Sequence, residues 1–174
     1  SISKYAFYNC SSLTSVTMGD GVTNIGSDAF YGCSSLVKVY ITDIAKWCGI
    51  SFDSDDSNPL YYGANLYLNG ELVTELVIPD SVTTIGGLAF SRCTNLSGSV
   101  TIPKGVTSIG SYAFNNARTL RIVTIPSSVT SIGEQAFLCC TGLTSLEIPS
   151  SVTTIGNSAF RECECLTSIE IPNT

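Results

Sequence analysis

Eight cysteines are the residues in this chain best equipped for chemistry, and their spacing decides which chemistry is open to them. Five of them, Cys10, Cys33, Cys93, Cys140 and Cys163, each stand three residues after a phenylalanine, and the same register elsewhere holds Ala117. A position that takes Cys or Ala asks for a small apolar group, and a buried free thiol is one. Cys139-Cys140 and Cys163-x-Cys165 lack the paired C-x-x-C spacing of a zinc site, and the chain has no histidine. The missing histidine also removes the commonest general base and triad partner. Cys139 and Cys165 remain able to pair across neighbouring coils. Asp53, Asp55 and Asp56 supply carboxylates, but D-S-D-D-S-N has neither the glycine nor the distal glutamate of an EF-hand loop and reads as a solvated acidic loop. The repeat pattern places no two of the 14 acidic residues in a cleft such as a glycosidase pair needs. No catalytic residue, metal site or cofactor is expected, and the chain is not expected to be an enzyme.

Composition narrows the partners. With a net charge of −6 and eight Lys plus Arg in no basic cluster, the chain is a poor match for a phosphate backbone, which argues against nucleic acid. At 44% hydrophobic and 13% charged residues it has the means to fold. No apolar run approaches the roughly 20 residues of a membrane-spanning helix.

The elements that carry these residues come from an internal repeat. Ala-Phe recurs with its Phe at Phe7, Phe30, Phe90, Phe114, Phe137 and Phe160, at steps of 23, 60, 24, 23 and 23 residues. The shared text is close to L-x-x-V-x-I-P-x-x-V-T-x-I-G-x-x-A-F-x-x-C. One copy runs through Leu120, Val123, Ile125, Pro126, Val129, Ile132, Gly133, Ala136, Phe137 and Cys140. Apolar residues two apart, such as Val123 and Ile125, fall on one face of a strand. Proline at Pro79, Pro103, Pro126, Pro149 and Pro172 ends it. A second pair, such as Val129 and Ile132, covers the next side of the coil. Glycine follows at Gly26, Gly86, Gly110, Gly133 and Gly156, where a positive φ is expected. Phe then fills the wide part of the core. One coil cannot bury its own apolar edge, whereas a stack can.

The spacing predicts a single solenoid over residues 1–174, about seven coils of roughly 23 residues, with strands beginning at Leu13, Leu36, Val73, Leu96, Leu120, Leu143 and Leu166. An extra residue in Leu96-Ser-Gly-Ser-Val100 predicts a bulge at Gly98. Both ends fall inside a repeat, so the chain is expected to be part of something longer.

The segments Leu143-TSLEIPSSVTTIGNSAFRECECL and Val106-TSIGSYAFNNA resemble the BspA-like (treponemal-type) leucine-rich repeat family. Ile-Pro stands where the more familiar leucine-rich repeat has Asn after the strand. The resemblance covers nearly the whole chain and implies a right-handed leucine-rich repeat coil with a parallel ladder on its concave face. It also implies a secreted or bacterial cell-surface location, and adhesion to a protein or glycan of host matrix or cell surface. It carries over no binding residues.

One segment, 42–72, departs from the repeat: Leu36 and Val73 are 37 residues apart, and the V-T-x-I-G-x-x-A-F-x-x-C text is absent between them. Asp43 is placed to cap a short helix that turns Ile44 and Trp47 inward. Asn69-Gly70, between alternating apolar residues, predicts a type I′ hairpin. Trp47, Phe52, Leu60 and Leu66 either plug the core in place of Ala-Phe or form part of a recognition feature. Tyr61 and Tyr62 are open to packing or to ligand contact.

The ladder's outward positions are the other candidate surface. Ser and Thr are the rule there, with Lys38, Tyr40, Glu75, Val77, Ile122, Thr124, Glu147 and Glu170 among the exceptions and neighbours that a partner would meet. Strand propensity alone also explains the apolar ones. The expected function is recognition of a protein or glycan through this face and the 42–72 segment; the alternative is a spacer that displays another domain.

Overall fold

The computed structural model describes residues 1–171, so Pro172 and Thr174 lie outside it. The chain winds as a β-solenoid with parallel ladders on two sides. On one side run β1 (Ser15–Thr17), β3 (Lys38–Ile41), β5 (Asn65–Leu68), β8 (Gly98–Thr101), β10 (Leu120–Thr124) and β12 (Ser145–Glu147). On the other run β2 (Asn24–Ile25) and β4 (Ser51–Phe52), then β7 (Thr84–Ile85), β9 (Ser108–Ile109), β11 (Ser131–Ile132) and β13 (Thr154–Ile155). After β8, β10 and β12 the proline carbonyl takes the N–H three residues on, as in Val129 N to Pro126 O at 3.1 Å, which closes a turn; after β1 the Gly19 carbonyl does the same for Val22 N.

Strand alternation sets the core. In β12, Leu146 is buried while Ser145 and Glu147 face out, and Val123 and Val100 repeat the pattern. Phe30, Phe90, Phe114 and Phe137 are fully buried. Successive rings stack at 5.4 Å (Phe90–Phe114), 5.2 Å (Phe114–Phe137) and 5.5 Å (Phe137–Phe160), within the range for favourable aromatic pairs.

The third side of each coil is a ladder of its own. Tyr112, Phe114 and Asn116 donate their backbone N–H to Glu134, Ala136 and Leu138 of the next coil at 2.9, 2.8 and 2.8 Å. The intervening N–H groups of Ala113, Asn115 and Ala117 close turns within the coil. Aiming alternate N–H groups along the solenoid axis requires left-handed backbone at two places per coil. The residue before Ala-Phe (Tyr5, Asp28, Leu88, Tyr112, Gln135, Ser158) has φ between 53° and 67°, and the residue before the Cys position (Asn9, Gly32, Arg92, Asn116, Cys139, Glu162) between 56° and 75°.

The repeated glycines are not among the positive-φ residues, contrary to expectation. Their constraint is proximity. A Cβ on Gly26, Gly86, Gly110, Gly133 or Gly156 would lie 2.3 to 2.6 Å from a backbone atom of the preceding coil. Gly98 adopts φ +133° and the register with β10 slips beside it, but the residue left without a partner is Arg121 of β10, so the irregularity falls on the facing strand and not at Gly98 as expected.

Two predicted strands are absent. No strand forms over 166–171: Leu166 packs on the core, and the residues that follow are exposed without ladder pairing. The strand expected from Val73 is reduced to a single bridge, Val77 to Thr101, because β5 takes the next place in the ladder, in register with β3. β6 (Glu71–Leu72) then folds back antiparallel on β5 through Asn69 (φ 52°) and Gly70 (φ 90°), the type I′ hairpin expected.

Segment 42–72 is therefore a complete coil followed by a hairpin. Asp43 caps α1 (Ile44–Cys48), accepting from Ala45 N at 2.7 Å and Lys46 N at 3.1 Å, and turns Ile44 and Trp47 inward. Trp47, Leu60 and Leu66 are buried and Phe52 partly so, with Trp47 and Phe52 edge to face at 5.6 Å; these side chains plug the core. Without the Ala-Phe turn, side chains replace much of the third ladder. Toward the preceding coil, Asp28 N donates to Ser54 Oγ (3.1 Å), Phe30 N to Asp56 O (3.2 Å) and Gly32 N to the Tyr62 hydroxyl (2.8 Å). Toward the next, Trp47 Nε1 donates to Ala89 O and Asn58 Nδ2 to Leu88 O, each at 2.7 Å.

Glycine and left-handed residues thus give opposite responses to substitution. Gly133→Ala, whose Cβ would stand 2.4 Å from Ser111 N, is expected to lose at least ~2 kcal/mol in urea unfolding. Gln135→Gly, at φ 53°, is expected to be neutral or to gain up to ~1 kcal/mol. Equal losses in both would contradict this assignment.

Candidate binding surfaces

The outward side chains of the first ladder form two columns. One carries Ser15, Lys38 and Asn65, then, across the interruption, Ser99, Ile122 and Ser145. The other carries Thr17, Tyr40 and Tyr67, then Val77, Thr101, Thr124 and Glu147. The rings of Tyr40 and Tyr67 lie 5.1 Å apart, with the Lys38 ammonium 5.8 Å from the Tyr67 centroid. Leu72 stands opposite Tyr67 across the hairpin.

Beyond the hairpin the ladder opens. Val77, held by one bridge, is 78% exposed. It lines a hollow of about 520 Å³ with Glu75, Asp80, Ser99 and Thr101, and a second of about 220 Å³ with Leu68, Leu72 and Leu76. Lys38, Tyr40, Glu75 and Val77 thus fall in one region, joined by Tyr67 and Leu72. Ile122, 44% exposed, stands apart between Ser99 and Ser145. Thr124 and Glu147 are exposed farther along, and Glu170 is exposed outside any strand.

Tyr61 and Tyr62 lie elsewhere, at the edge formed by the third ladder. They meet edge to face at 5.0 Å; Tyr61 is partly buried under the Arg92 guanidinium (4.5 Å from its centroid), and Tyr62 is 39% exposed. Burial holds Asp56 and Tyr61 above their ordinary pKa ranges, and the negative charge of Asp56 adds to the shift of Tyr61. Among the other acidic residues of this segment, Asp53 accepts from Asn24 Nδ2 at 2.9 Å.

All eight cysteines are free. Cys33, Cys93 and Cys140 are buried, Cys163 is partly buried and Cys10 is exposed. Three of these thiols donate to the phenylalanine carbonyl of the preceding coil: Cys33 to Phe7 (3.2 Å), Cys140 to Phe114 (3.1 Å) and Cys163 to Phe137 (3.3 Å). Cys139 donates to Glu162 Oε2 at 3.0 Å and does not pair with Cys165. Burial pushes the Cys48 and Cys93 thiols up to about 12 and Cys163 up to about 11, and raises Cys33 and Cys140 as well.

This geometry, a 23-residue coil with Ala-Phe and Cys on a third ladder, has known counterparts. The profile of the BspA type Leucine rich repeat region, in six copies, matches residues 1–54 and 62–174. The chain belongs to that family. A leucine rich cell surface protein from Faecalibacterium prausnitzii A2-165 is similar at 41% identity and TM-score 0.63, over 97% of this chain and 41% of its own. The T. pallidum leucine rich repeat protein is similar at 28% identity and TM-score 0.52, over 91% and 58%. The pneumococcal vaccine antigen PcpA, at 16% identity and TM-score 0.63 over 90% and 50%, shares the fold. This BspA-type chain thus spans about half the length of the solved proteins it matches. Among curated proteins nothing matches. No helix among the described residues is long and apolar enough to cross a membrane.

The thiol environments are directly measurable. Iodoacetamide at pH 8 is expected to modify Cys10 and Cys165 in the folded protein and to leave Cys33, Cys48, Cys93 and Cys140 unmodified until urea unfolds it. Rapid modification of Cys93 in the folded state would contradict its burial.

Proposed function

We propose that the chain is a cell-surface recognition scaffold that binds a protein or glycan of host matrix or cell surface through its strand face and the 42–72 coil. The observation that carries this reading is the interruption at Val77. A regular solenoid would present Ser and Thr there; this one has two hollows lined by Val77 and Glu75, one of them also by Leu72, with the half-buried rings of Tyr40 and Tyr67 and the Lys38 ammonium on the adjoining strands. Partly exposed tyrosines beside exposed apolar side chains and polar neighbours are what binding hot spots are made of. The cell-surface description of the Faecalibacterium protein supports the location.

A spacer role is the second reading. The Ser and Thr side chains that dominate β8 to β12 favour it, because they offer a partner little to anchor on.

The test is binding of the purified chain to arrays of host matrix proteins and glycans, beside a Tyr67→Ser/Val77→Ser variant and an Ile122→Ser variant. The first is expected to weaken a saturable hit by at least ~10-fold with the circular dichroism spectrum unchanged, about 1.4 kcal/mol of binding. Ile122→Ser is expected to leave it within ~3-fold. Absence of any hit, or a hit indifferent to the double variant, would favour the spacer.

A further inference from the structure

The groove beside Tyr62 has a composition unlike the rest of the molecule. It holds about 370 Å³, within the usual range for a small-ligand site, and is lined by Tyr61, Tyr62, Gly63, Arg92, Thr94, Asn116 and Arg118. Two of the chain's four arginines meet here, on a protein of net charge −6. Arg161, by contrast, pairs with Glu162 at 3.2 Å; neither groove arginine forms an ion pair among the described residues.

Their placement follows from the coil. Arg92 and Asn116 occupy the same left-handed position of successive coils, with φ 62° and 59°, and Arg118 follows two residues later. Arg92 lies over Tyr61, 4.5 Å from its centroid, and the nearby Asp56 offsets part of its charge. Arg118 is exposed; its Nε and Nη2 reach Asn116 Oδ1 at 3.4 and 3.2 Å, neutral contacts that leave its charge available. Tyr62 is fixed by the Gly32 N–H on its hydroxyl while its ring stays partly open to solvent.

We infer that this groove binds an anionic saccharide, a sugar unit bearing a carboxylate or a sulfate. Arg118 takes the anion, with Arg92 adding field; Asn116 and Thr94 meet the hydroxyls; the open part of the Tyr62 ring lies against the sugar's apolar face. A planar guanidinium suits both oxyanions because it presents paired donors in a fork. A saccharide fits better than an acidic peptide because no aliphatic side chain lines the groove, so nothing there anchors an apolar peptide residue. The fixed tyrosine limits the conformational entropy lost on binding. Residues 55–61, which bring Tyr61 into the groove, fall between the two segments that match the family profile. The inference deepens the recognition reading at the 42–72 coil and is independent of the Val77 region.

Titration calorimetry on the 174-residue chain tests it, with four probes. These are a glucuronate-containing disaccharide, 6-O-sulfated N-acetylglucosamine, neutral N-acetyllactosamine and tetraglutamate. At least one acidic sugar is expected to bind ten-fold or more tighter than both the neutral sugar and tetraglutamate; which one identifies the anion. Arg118→Gln is expected to weaken that binding at least ten-fold, Arg118→Lys less, and Arg121→Gln, exposed on β10 and outside the groove, not at all. No binding, equal binding of the neutral sugar or of tetraglutamate, or indifference to Arg118→Gln would overturn the proposal. The Tyr67→Ser/Val77→Ser variant is expected to bind the acidic sugar normally, so failure here and failure of the strand-face reading are separately visible.

Discussion

Each regular coil turns through two left-handed residues so that three backbone N–H groups lie along the solenoid axis and reach the next coil. Much else in the fold follows from that constraint. The hydrogen bonds, such as Phe114 N to Ala136 O at 2.8 Å, hold neighbouring coils in close contact. At that separation the phenylalanine rings stack and a thiol can donate to the carbonyl of the coil before it. It is also why no side chain fits at Gly133 or Gly156. Left-handed backbone costs most residues about 1–2 kcal/mol, and the fold accepts it at positions as varied as Tyr112, Gln135 and Glu162. The return is that a third side of the coil, which would otherwise be loop, has its backbone polar groups satisfied.

The 42–72 coil meets the same constraint by other means. It lacks the Ala-Phe turn, yet the coils on either side still present donors at Asp28, Phe30 and Gly32 and acceptors at Leu88 and Ala89. Ser54, Tyr62, Trp47 and Asn58 answer four of these with side-chain atoms, and Asp56 answers one with its carbonyl. Because side chains rather than backbone form these bridges, the coil can be longer and its outline irregular. Both candidate surfaces arise there: the hairpin that interrupts the first ladder beside Val77, and the arginine-lined groove beside Tyr62.

The repeat makes the architecture legible in the sequence itself. Strand faces, the proline stop, the Asp43 cap and the Asn69-Gly70 hairpin all follow from local rules that need one copy and its neighbours. The role of the repeated glycines was not legible, because a short contact to another coil leaves no trace in local spacing; a positive φ and a close approach both demand glycine. The left-handed positions were hidden because side chains as different as Leu88, Asn116 and Glu162 occupy them. Asn65 and Tyr67 were missed as outward ladder residues although Asn65-Leu66-Tyr67-Leu68 alternates plainly: the repeat register assigned the next strand to Val73, and only pairing with β3 reveals the competitor. The groove at Arg92 and Arg118 joins residues more than 30 positions from Tyr61 and needs the stack to assemble it.

Hydrogen exchange by NMR at two sites, the Gly32 amide and the Trp47 indole N–H, tests most directly whether the 42–72 coil is an integral member of the stack. Each is held by a single hydrogen bond that this coil alone supplies or receives, at 2.8 and 2.7 Å. Protection equal to that of the Phe114 and Phe137 amides, lost in one cooperative transition, is the predicted result. Exchange of either proton ~100-fold faster than those amides, with the regular coils still protected, would mean that the segment opens separately and would contradict the account.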